Sequence, residues 1–396
     1  MIKKLHVEPI KFREKYLSTP LLTKAEVEKA MDYVVAQTRA NMEYFGTRFP
    51  WSATKGLKYP IIDCIEWTDG FWTGLLWLCY EYTGDEAFRI RAEQNIDSFL
   101  HRVENRIELD HHDLGFLYSI SAVAGYKLTG SEKAKHAGVL AADKLMERYN
   151  ERDKFIQAWG AVGAKDNYRL IIDCFMNIPL LYWATQVTGD TKYAEAADNH
   201  YEKAANHVIR DDASAFHTFY FDYETGAPVR GATRQGYSDD SAWARGQTWG
   251  IYGIPLNYIQ NHNPASINLY EGMTNYFLNR LPEDDVPYWD LIFGDGSGHS
   301  RDSSSGAIAV CGMLEMGKYL PELHPEKETY KYACHRILRS LINNYQGQQV
   351  EPGSPILYHG VYSWHSGKGV DEGNIWGDFY YMEALMRMWK DWNLYW

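Results

Sequence analysis

Tyr82-Thr83-Gly84-Asp85 ends one apolar helical stretch and begins the next. Glycine can adopt the left-handed turn that closes a helix, and the aspartate can cap the first turn of the helix that follows. The same layout returns at Leu128-Thr129-Gly130-Ser131 and at Val187-Thr188-Gly189-Asp190. Each copy predicts a helical hairpin with a tight turn, and such repetition is typical of arrays of helical hairpins.

Helical periodicity recurs along nearly the whole chain. The first long helix opens with a capping box, Thr23 and Glu26, and carries apolar residues on one face. Helices are expected at 23–44, 67–82, 85–104, 114–129, 131–149, 170–187, 190–209, 242–260, 265–281, 303–319, 325–345 and 374–394. These stretches make about six hairpins.

The first helix of each hairpin distinguishes an open superhelix from a closed toroid. All six starts are rich in glycine, aromatic and polar residues, and poor in plain aliphatic stripes. They lie at 67–72, 113–116, 172–177, 243–249, 303–306 and 376–381. Small residues let inner helices approach closely, and the polar groups would converge on one central cleft. The sequence therefore predicts an all-α fold, an (α/α)6 barrel, as a single domain over residues 1–396.

Three stretches lack helical periodicity. Residues 217–223 and 226–229 predict a short β-hairpin on a long loop between about 209 and 241. Residues 283–300 and 346–371 are loop-like, with many Gly, Ser, Tyr and Pro. Long loops within a compact domain usually have a function, so we expect them at the mouth of the cleft.

Composition excludes several classes of function. The chain has 52 acidic and 40 basic residues and a formal net charge of −12, which argues against nucleic-acid and anionic-membrane partners. Five cysteines without a CxxC pair predict free thiols in a reducing compartment. The first sixteen residues resemble no signal peptide, so we expect a cytoplasmic protein. The oligomeric state stays open.

Aromatic residues are abundant, with 14 Trp, 30 Tyr and 15 Phe. Indole and phenol rings present flat apolar faces with a polar edge, which suit the C–H faces of sugar rings. A large aromatic core is an equally good interpretation of composition alone.

Two aspartates are the best candidates for chemistry. Asp113 and Asp173 stand at the starts of two first-in-hairpin helices, among apolar and aromatic neighbours. A carboxyl group in such a setting resists ionisation, and a pKa near neutrality suits a general acid. The alternative is that each aspartate caps its helix or pairs with a buried arginine.

The stretch 234–249 is the most distinctive in the chain. Within it, Arg245 and Trp249 lie one helical turn apart, so an Arg fork beside an indole could hold a sugar carboxylate. An Arg tied to an interior Asp is the competing interpretation. His111-His112-Asp113 could suggest a metal, but adjacent side chains on a helix point apart, and we expect no metal.

Five motifs together resemble a known family. They are Trp67-Thr68-Asp69-Gly70-Phe71-Trp72, His112-Asp113-Leu114-Gly115-Phe116, Asp173-Cys174-Phe175-Met176-Asn177, the 234–249 stretch and Pro287-Tyr288-Trp289-Asp290. With these motifs the chain resembles the unsaturated glucuronyl hydrolases, glycoside hydrolase family 88, and most closely the streptococcal type. The resemblance covers about Trp67 to Trp396.

The resemblance implies a reaction on a Δ4,5-unsaturated uronic acid at the non-reducing end of a lyase product. Protonation of C4 and attack of water at C5 give a hemiketal, which opens and expels the neighbouring sugar. Asp173 is implied as the acid/base and Asp113 as its support. The implied substrate-binding residues are Trp67, His112, Trp159, His217, Gln235, Arg245, Trp249 and Tyr362. No cofactor is implied.

The streptococcal type also implies a sulfate site. Arg234 and the loop residues Ser363, Ser366 and Lys368 match its pattern, and such donors suit a sulfate oxyanion. Chondroitin disaccharides, preferably 6-sulfated, and hyaluronan disaccharides are the implied substrates. Alternatively, these are ordinary solvated loop residues.

Three rival functions stay open. An unsaturated rhamnogalacturonyl hydrolase would share the chemistry but act on a pectin-derived substrate, and the Ser363–Lys368 loop argues against it. An N-acylglucosamine 2-epimerase-like isomerase would need paired histidines near the cleft. A non-catalytic sugar-binding scaffold would keep the tryptophans but would not need Asp173.

Overall fold

The helices of the computed structural model, which describes residues 1–396, stand in two concentric rings. A short helix, α1 (Arg13–Leu17), and α2 (Lys24–Phe45) come first. The chain then alternates between inner and outer helices: α3 (Asp69–Thr83), α4 (Glu86–Glu104), α5 (Leu114–Tyr118) with α6 (Ala124–Thr129), α7 (Glu132–Met146), α8 (Cys174–Asn177) with α9 (Pro179–Thr188), α10 (Lys192–His207), α11 (Ala244–Asn261), α12 (Ala265–Leu278), α13 (Ser303–Gly317), α14 (Lys327–Ser340) and α15 (Ile375–Trp389). Short π-helical turns, Ser119–Val123 and Leu341–Tyr345, join α5 to α6 and extend α14.

The inner ring closes on itself. Helix α3 packs against α5, α5 against α8, α8 against α11, α11 against α13, α13 against α15, and α15 returns to α3. An open superhelix would lack the last contact. The predicted (α/α)6 barrel is therefore confirmed.

The repeated turns form as the sequence predicts. Gly84, Gly130 and Gly189 end their helices with φ of +69°, +70° and +78°. The side chain of Asp85 accepts a hydrogen bond from the backbone of α4, and Ser131 does the same for α7. In the third turn the residue that precedes the helix is Thr191, so α10 begins one residue later than the motif predicts.

Glycines bring neighbouring inner helices into contact at their starts. A Cβ atom on Gly70 would lie 2.0 Å from the carbonyl oxygen of Phe116. A Cβ atom on Gly115 would lie 2.4 Å from Cα of Asn177. Both positions exclude any side chain, because the atoms in the way belong to backbone.

In addition to its helices, the barrel has four small antiparallel sheets. They are β1 (Phe49–Pro50) with β2 (Ile61–Ile62), β3 (Tyr149–Asn150) with β4 (Phe155–Ile156), β5 (Arg169–Ile171) with β6 (Thr218–Phe221) and β7 (Pro228–Ala232), and β8 (Gly360–Ser363) with β9 (Lys368–Glu372). The predicted β-hairpin is confirmed as β6–β7.

Two details of the sequence prediction were wrong. The helix expected at 170–187 begins only at Cys174, because Arg169–Ile171 pair with β6 as a third strand. A short apolar run such as Leu170-Ile171-Ile172 fits a buried strand as well as a helix. The stretch 346–371, expected to be loop, contains most of the β8–β9 hairpin.

One continuous cluster of 108 buried hydrophobic residues fills the space between the rings and the barrel interior. All five cysteines are free thiols, and four of them are buried. No helix combines the length and the apolar character that crossing a bilayer requires.

We expect Gly115→Ala to lower the free energy of unfolding by about 2–3 kcal/mol, because the added methyl group overpacks a backbone contact. Gly317→Ala is the matched control, since nothing lies within 4 Å of a Cβ atom at the end of α13. Urea titration of the two variants checks this. Equal stabilities would contradict the close approach of α5 and α8.

Candidate active site

A cavity of about 310 Å³ opens at the end of the barrel where the inner helices begin. Eight residues that the sequence nominates line it: Trp67, Asp113, Trp159, Asp173, Gln235, Arg245, Trp249 and Tyr362. These residues come from five separate parts of the chain. The closed ring is what brings them to one place.

Asp113 and Asp173 immediately precede α5 and α8, and neither side chain caps its helix. Neither carboxyl group is within 4.0 Å of a lysine or arginine nitrogen. Both interpretations in which these aspartates are merely structural are therefore excluded by the geometry. The two groups are free to act on a ligand in the cavity.

Asn177 fixes the distance between the two helix starts. Its Oδ1 accepts a 2.9 Å hydrogen bond from the backbone N–H of Phe116, and its Nδ2 donates to the backbone oxygen of Asp173 at 3.1 Å. With Gly115 packed directly on Asn177, the two aspartates cannot move apart without breaking these hydrogen bonds.

His112 lies between the two carboxyl groups and is buried. Its Nε2 is 3.1 Å from Oδ1 of Asp173 and 3.5 Å from Oδ1 of Asp113. These are ion-pair distances, although the atoms are not aligned as hydrogen bonds. Burial acts to lower the pKa of His112, but the charges of Asp173 and Asp113 outweigh it and raise that pKa above its usual value.

The two carboxyl groups differ in pKa. Burial raises the pKa of Asp173, and His112 only partly offsets it. Burial also acts to raise the pKa of Asp113, but the charge of His112 and the neighbouring ring of His111 hold it below its usual value. Pairs of titratable groups whose pKa values are pushed apart are typical of acid–base sites. Here the pKa of Asp173 is raised and that of Asp113 is lowered, so Asp173 holds its proton to higher pH than Asp113 does.

We expected no metal because adjacent side chains on a helix point apart, but His111, His112 and Asp113 are not on a helix. They precede α5, and both imidazoles turn toward Asp113, with Nδ1 of His111 3.3 Å from Oδ2. His112, Asp113 and Asp173 offer ligand atoms within 4.8 Å of one another.

His217 is a neutral hydrogen-bond donor. Its Nδ1 accepts from the backbone N–H groups of Arg234 and Gln235, at 2.9 and 3.3 Å. Burial, and then the positive charges of Arg169, Arg245 and Arg234, lower its pKa to about 3. The proton must therefore be on Nε2, which is buried and has no acceptor in the protein.

Arg245 is tied to the protein. Its terminal nitrogens donate to Asp302 Oδ2 (3.0 Å), to Gln235 Oε1 (2.7 Å) and to two backbone oxygens of β8, and its side chain is only 1% exposed. The sequence left open whether this Arg holds a sugar carboxylate or an interior Asp. The geometry supports the second role, and the hydrogen bond from Arg245 orients Gln235 in the cavity wall.

Aromatic rings form the walls of the cavity. The indole of Trp67 donates to the Tyr362 hydroxyl at 2.8 Å and stacks on Trp376 at 5.5 Å between centroids. Trp249 packs against Phe116 at 5.0 Å. The rings are held on several sides, which preorganises them for a flat ligand.

The four residues nominated for sulfate lie outside the cavity, next to two of its lining rings. The Arg234 guanidinium is exposed, makes no ion pair and lies 5.8 Å from the Trp159 ring. Nζ of Lys368 lies 4.3 Å from the Tyr362 ring and 4.4 Å from the Trp51 ring. Ser363 and Ser366 share the β8–β9 turn with Lys368, and Ser366 Oγ donates to the backbone oxygen of Ser363.

Sequence reasoning did not nominate five of the lining residues as site residues: Ile65, Glu66, Glu108, His111 and Trp243. His111 was considered only as a metal ligand, Trp243 lies within the 234–249 stretch, and Glu66 precedes Trp67, so each had an available signal. Glu108 and Ile65 carry no comparable signal, because their place depends on loops between helices.

A toroid of helical hairpins with an aromatic cleft and a carboxyl pair of divergent pKa defines the class of (α/α)6-barrel enzymes that act on saccharides. The chain belongs to Glycosyl Hydrolase Family 88, whose family model matches residues 27–394. It is therefore a glycoside hydrolase.

Individual relatives match over the full length. The chain is 61% identical over 396 residues, covering 100% of both chains, to an unsaturated chondroitin disaccharide hydrolase from Streptococcus pneumoniae. It superposes on the crystal structure of an unsaturated glucuronyl hydrolase from Streptococcus agalactiae with a TM-score of 0.99 and 60% identity, covering 100% of both chains. An aspartate-to-asparagine variant of that enzyme complexed with dGlcA-GalNAc6S matches with a TM-score of 0.92 and 56% identity over 100% of both chains.

We expect the ring of His217 to stay neutral at about pH 5, with its proton on Nε2, because its pKa lies near 3. A pKa below the ordinary histidine value means that the neutral form persists as the pH falls toward it. Nitrogen NMR of histidine-labelled protein checks this, and His217→Gln identifies the signals. A doubly protonated ring at about pH 5 would contradict the geometry.

Proposed function

We propose that the chain is an unsaturated glucuronyl hydrolase that acts on glycosaminoglycan disaccharides, with 6-sulfated chondroitin preferred and hyaluronan accepted. The observation that carries the proposal is the position of His112 between two carboxyl groups, with Nε2 3.1 Å from Asp173 and 3.5 Å from Asp113. The pKa of Asp173 is raised by burial and that of Asp113 is lowered by His112, which agrees with an acid and a carboxylate at this place. The names of the streptococcal relatives and the disaccharide in the variant complex support the choice of substrate.

The chemistry proceeds in two proton transfers. Asp173 gives its proton to C4 of the C4=C5 enol ether, and positive charge develops at C5 and the ring oxygen. The ionised Asp113 stabilises this charge. The Asp173 carboxylate then takes a proton from water as the water oxygen bonds to C5. The resulting hemiketal opens and releases the neighbouring sugar, so that Asp173 ends the cycle protonated again.

The other groups of the site bind the substrate, both the residues that line the cavity and the buried His217 beside them. His217 offers its Nε2–H to an acceptor on the uronate, and Gln235 is oriented toward the cavity by Arg245. Trp67, Trp159, Trp249 and Tyr362 provide faces for the two sugar rings. Arg245 lines the cavity with little of its side chain exposed and contributes its charge there.

A sulfo group on the second sugar binds among Arg234, Ser363, Ser366 and Lys368. The Arg234 guanidinium carries no carboxylate partner, and Lys368 is held by two aromatic rings, so both cations are available to an anion. We further propose that residues 1–396 act as one catalytic domain in the cytoplasm, where the free thiols stay reduced.

The first test is ultraviolet absorbance with unsaturated 6-sulfated chondroitin disaccharide, because hydration destroys the conjugation of C4=C5 with the carboxylate. We expect Asp173→Asn to lose at least about 10³-fold in kcat. Asp110→Asn, with a carboxyl group 85% exposed beside the same loop, is the matched control and should stay within about twofold of wild type.

Other outcomes of this assay distinguish the rivals. Consumption of unsaturated rhamnogalacturonan disaccharide alone would keep the chemistry and reject the sulfate site. Unchanged absorbance with every unsaturated disaccharide would reject the hydrolase, and epimerase activity would be assayed next. Binding without turnover in the wild type would indicate a sugar-binding scaffold.

His112→Gln should move both limbs of the pH profile of kcat/KM to higher pH. The charge of His112 lowers the pKa of Asp173 and of Asp113, so its removal raises both. Activity needs Asp173 protonated, which sets the alkaline limb, and Asp113 ionised, which sets the acid limb. A fall in rate with the limbs unmoved would show that His112 only binds substrate.

A further inference from the structure

One buried cation near the cleft has no counter-ion. The side chain of Arg169 is 1% exposed, and no carboxylate lies within 4.0 Å of its guanidinium. Its Nη1 donates to the Tyr220 hydroxyl at 2.6 Å, whereas Nε and Nη2 are buried without an acceptor. Leaving a charged group buried and incompletely hydrogen-bonded is costly. Such a group therefore calls for a functional explanation.

Arg169 lies directly behind a wall of the cavity. Its guanidinium carbon is 4.9 Å from the centroid of the Trp159 ring, which lines the cavity, and 5.2 Å from the Tyr220 ring. Arg169 itself does not line the cavity. Arg169 can therefore affect a ligand only through its charge and through the position of Trp159.

The charge of Arg169 adds to two others. Arg169, Arg234 and Arg245 all lower the pKa of the buried His217 that lies among them. Of the three, only Arg245 is paired with a carboxylate, Asp302. The other two both face the Trp159 ring, Arg169 at 4.9 Å and Arg234 at 5.8 Å. This side of the cleft therefore carries two positive charges that are not in an ion pair.

We propose that Arg169 is a specificity-determining residue, whose uncompensated buried charge favours substrates with an anionic substituent on the sugar bound against Trp159. The proposal rests on the proposed function and deepens it. Arg234 and Lys368 contact the sulfo group from solvent, whereas Arg169 attracts it through the protein, where salt screens less. An uncharged second sugar gains nothing comparable from Arg169.

The test compares kcat and KM for 6-sulfated and unsulfated unsaturated chondroitin disaccharides. In Arg169→Met we expect the ratio of the two kcat/KM values, sulfated over unsulfated, to fall by about tenfold, as a charge several ångströms away predicts. The change should be mainly in KM for the sulfated substrate. In Arg169→Lys, which keeps the charge, the ratio should stay within about threefold of wild type.

Two controls separate charge from structure. Arg230→Met removes an exposed guanidinium 4.8 Å from the same Tyr220 ring and should leave the ratio unchanged. The melting temperature of Arg169→Met should be equal to or above that of wild type, because an unpaired buried charge is removed. A structural role for Arg169 predicts the opposite, a lower melting temperature and equal losses on both substrates.

Each contrary outcome is informative. If the wild type discriminates but Arg169→Met keeps the ratio, or if Arg169→Lys loses it, the proposal for Arg169 is wrong and the proposed function stands. If Arg169→Met fails to fold, Arg169→Gln replaces it, and failure of both assigns a structural role and overturns the proposal. If the wild type consumes neither disaccharide, the proposed function is wrong, and the proposal for Arg169 is wrong with it.

Discussion

The site depends on one side chain, Asn177, which joins the starts of two inner helices. Its amide accepts from the backbone of Phe116 and donates to the backbone of Asp173. Packing of side chains alone leaves some freedom in the angle and distance between neighbouring helices of a closed ring. Asn177, with Gly115 packed on it, removes that freedom at this place through two directed hydrogen bonds. The distance between Asp113 and Asp173 is therefore set by hydrogen bonds to the backbone of the two helix starts. Movements of the surrounding loops cannot easily change it.

The balance of charge in the cleft follows from that relation. Two buried carboxyl groups close together cannot both ionise without a cation. Arg245 is engaged by Asp302, and Arg169 lies behind Trp159, so neither is within ion-pair distance of them. His112 is the cation that stands between the carboxyl groups. The positive side of the cleft and the carboxyl side are thus separate, as the proposed division between anion binding and proton transfer requires.

Local sequence signals predicted the fold well, because each helix carries its own signal for where it ends. Gly84, Gly130 and Gly189 adopt the left-handed turns that the repeated motif requires, and the small residues at the inner helix starts predicted a closed ring. The strand at Arg169–Ile171 was missed because a short apolar run does not reveal its partner. Arg245 stayed ambiguous for a similar reason: Asp302 is 57 residues away, and no local pattern joins them.

The use of a histidine between the carboxyl groups has a chemical reason. The charges of Asp173 and Asp113 raise the pKa of His112, so the imidazole can supply one positive charge to the two acidic groups. One cation compensates one carboxylate, and a second ionised carboxyl group in this buried cluster would be uncompensated. The cluster therefore favours one proton on its two carboxyl groups, and burial, which raises the pKa of Asp173, directs that proton to Asp173. In the proposed reaction this is the proton that C4 of the enol ether receives.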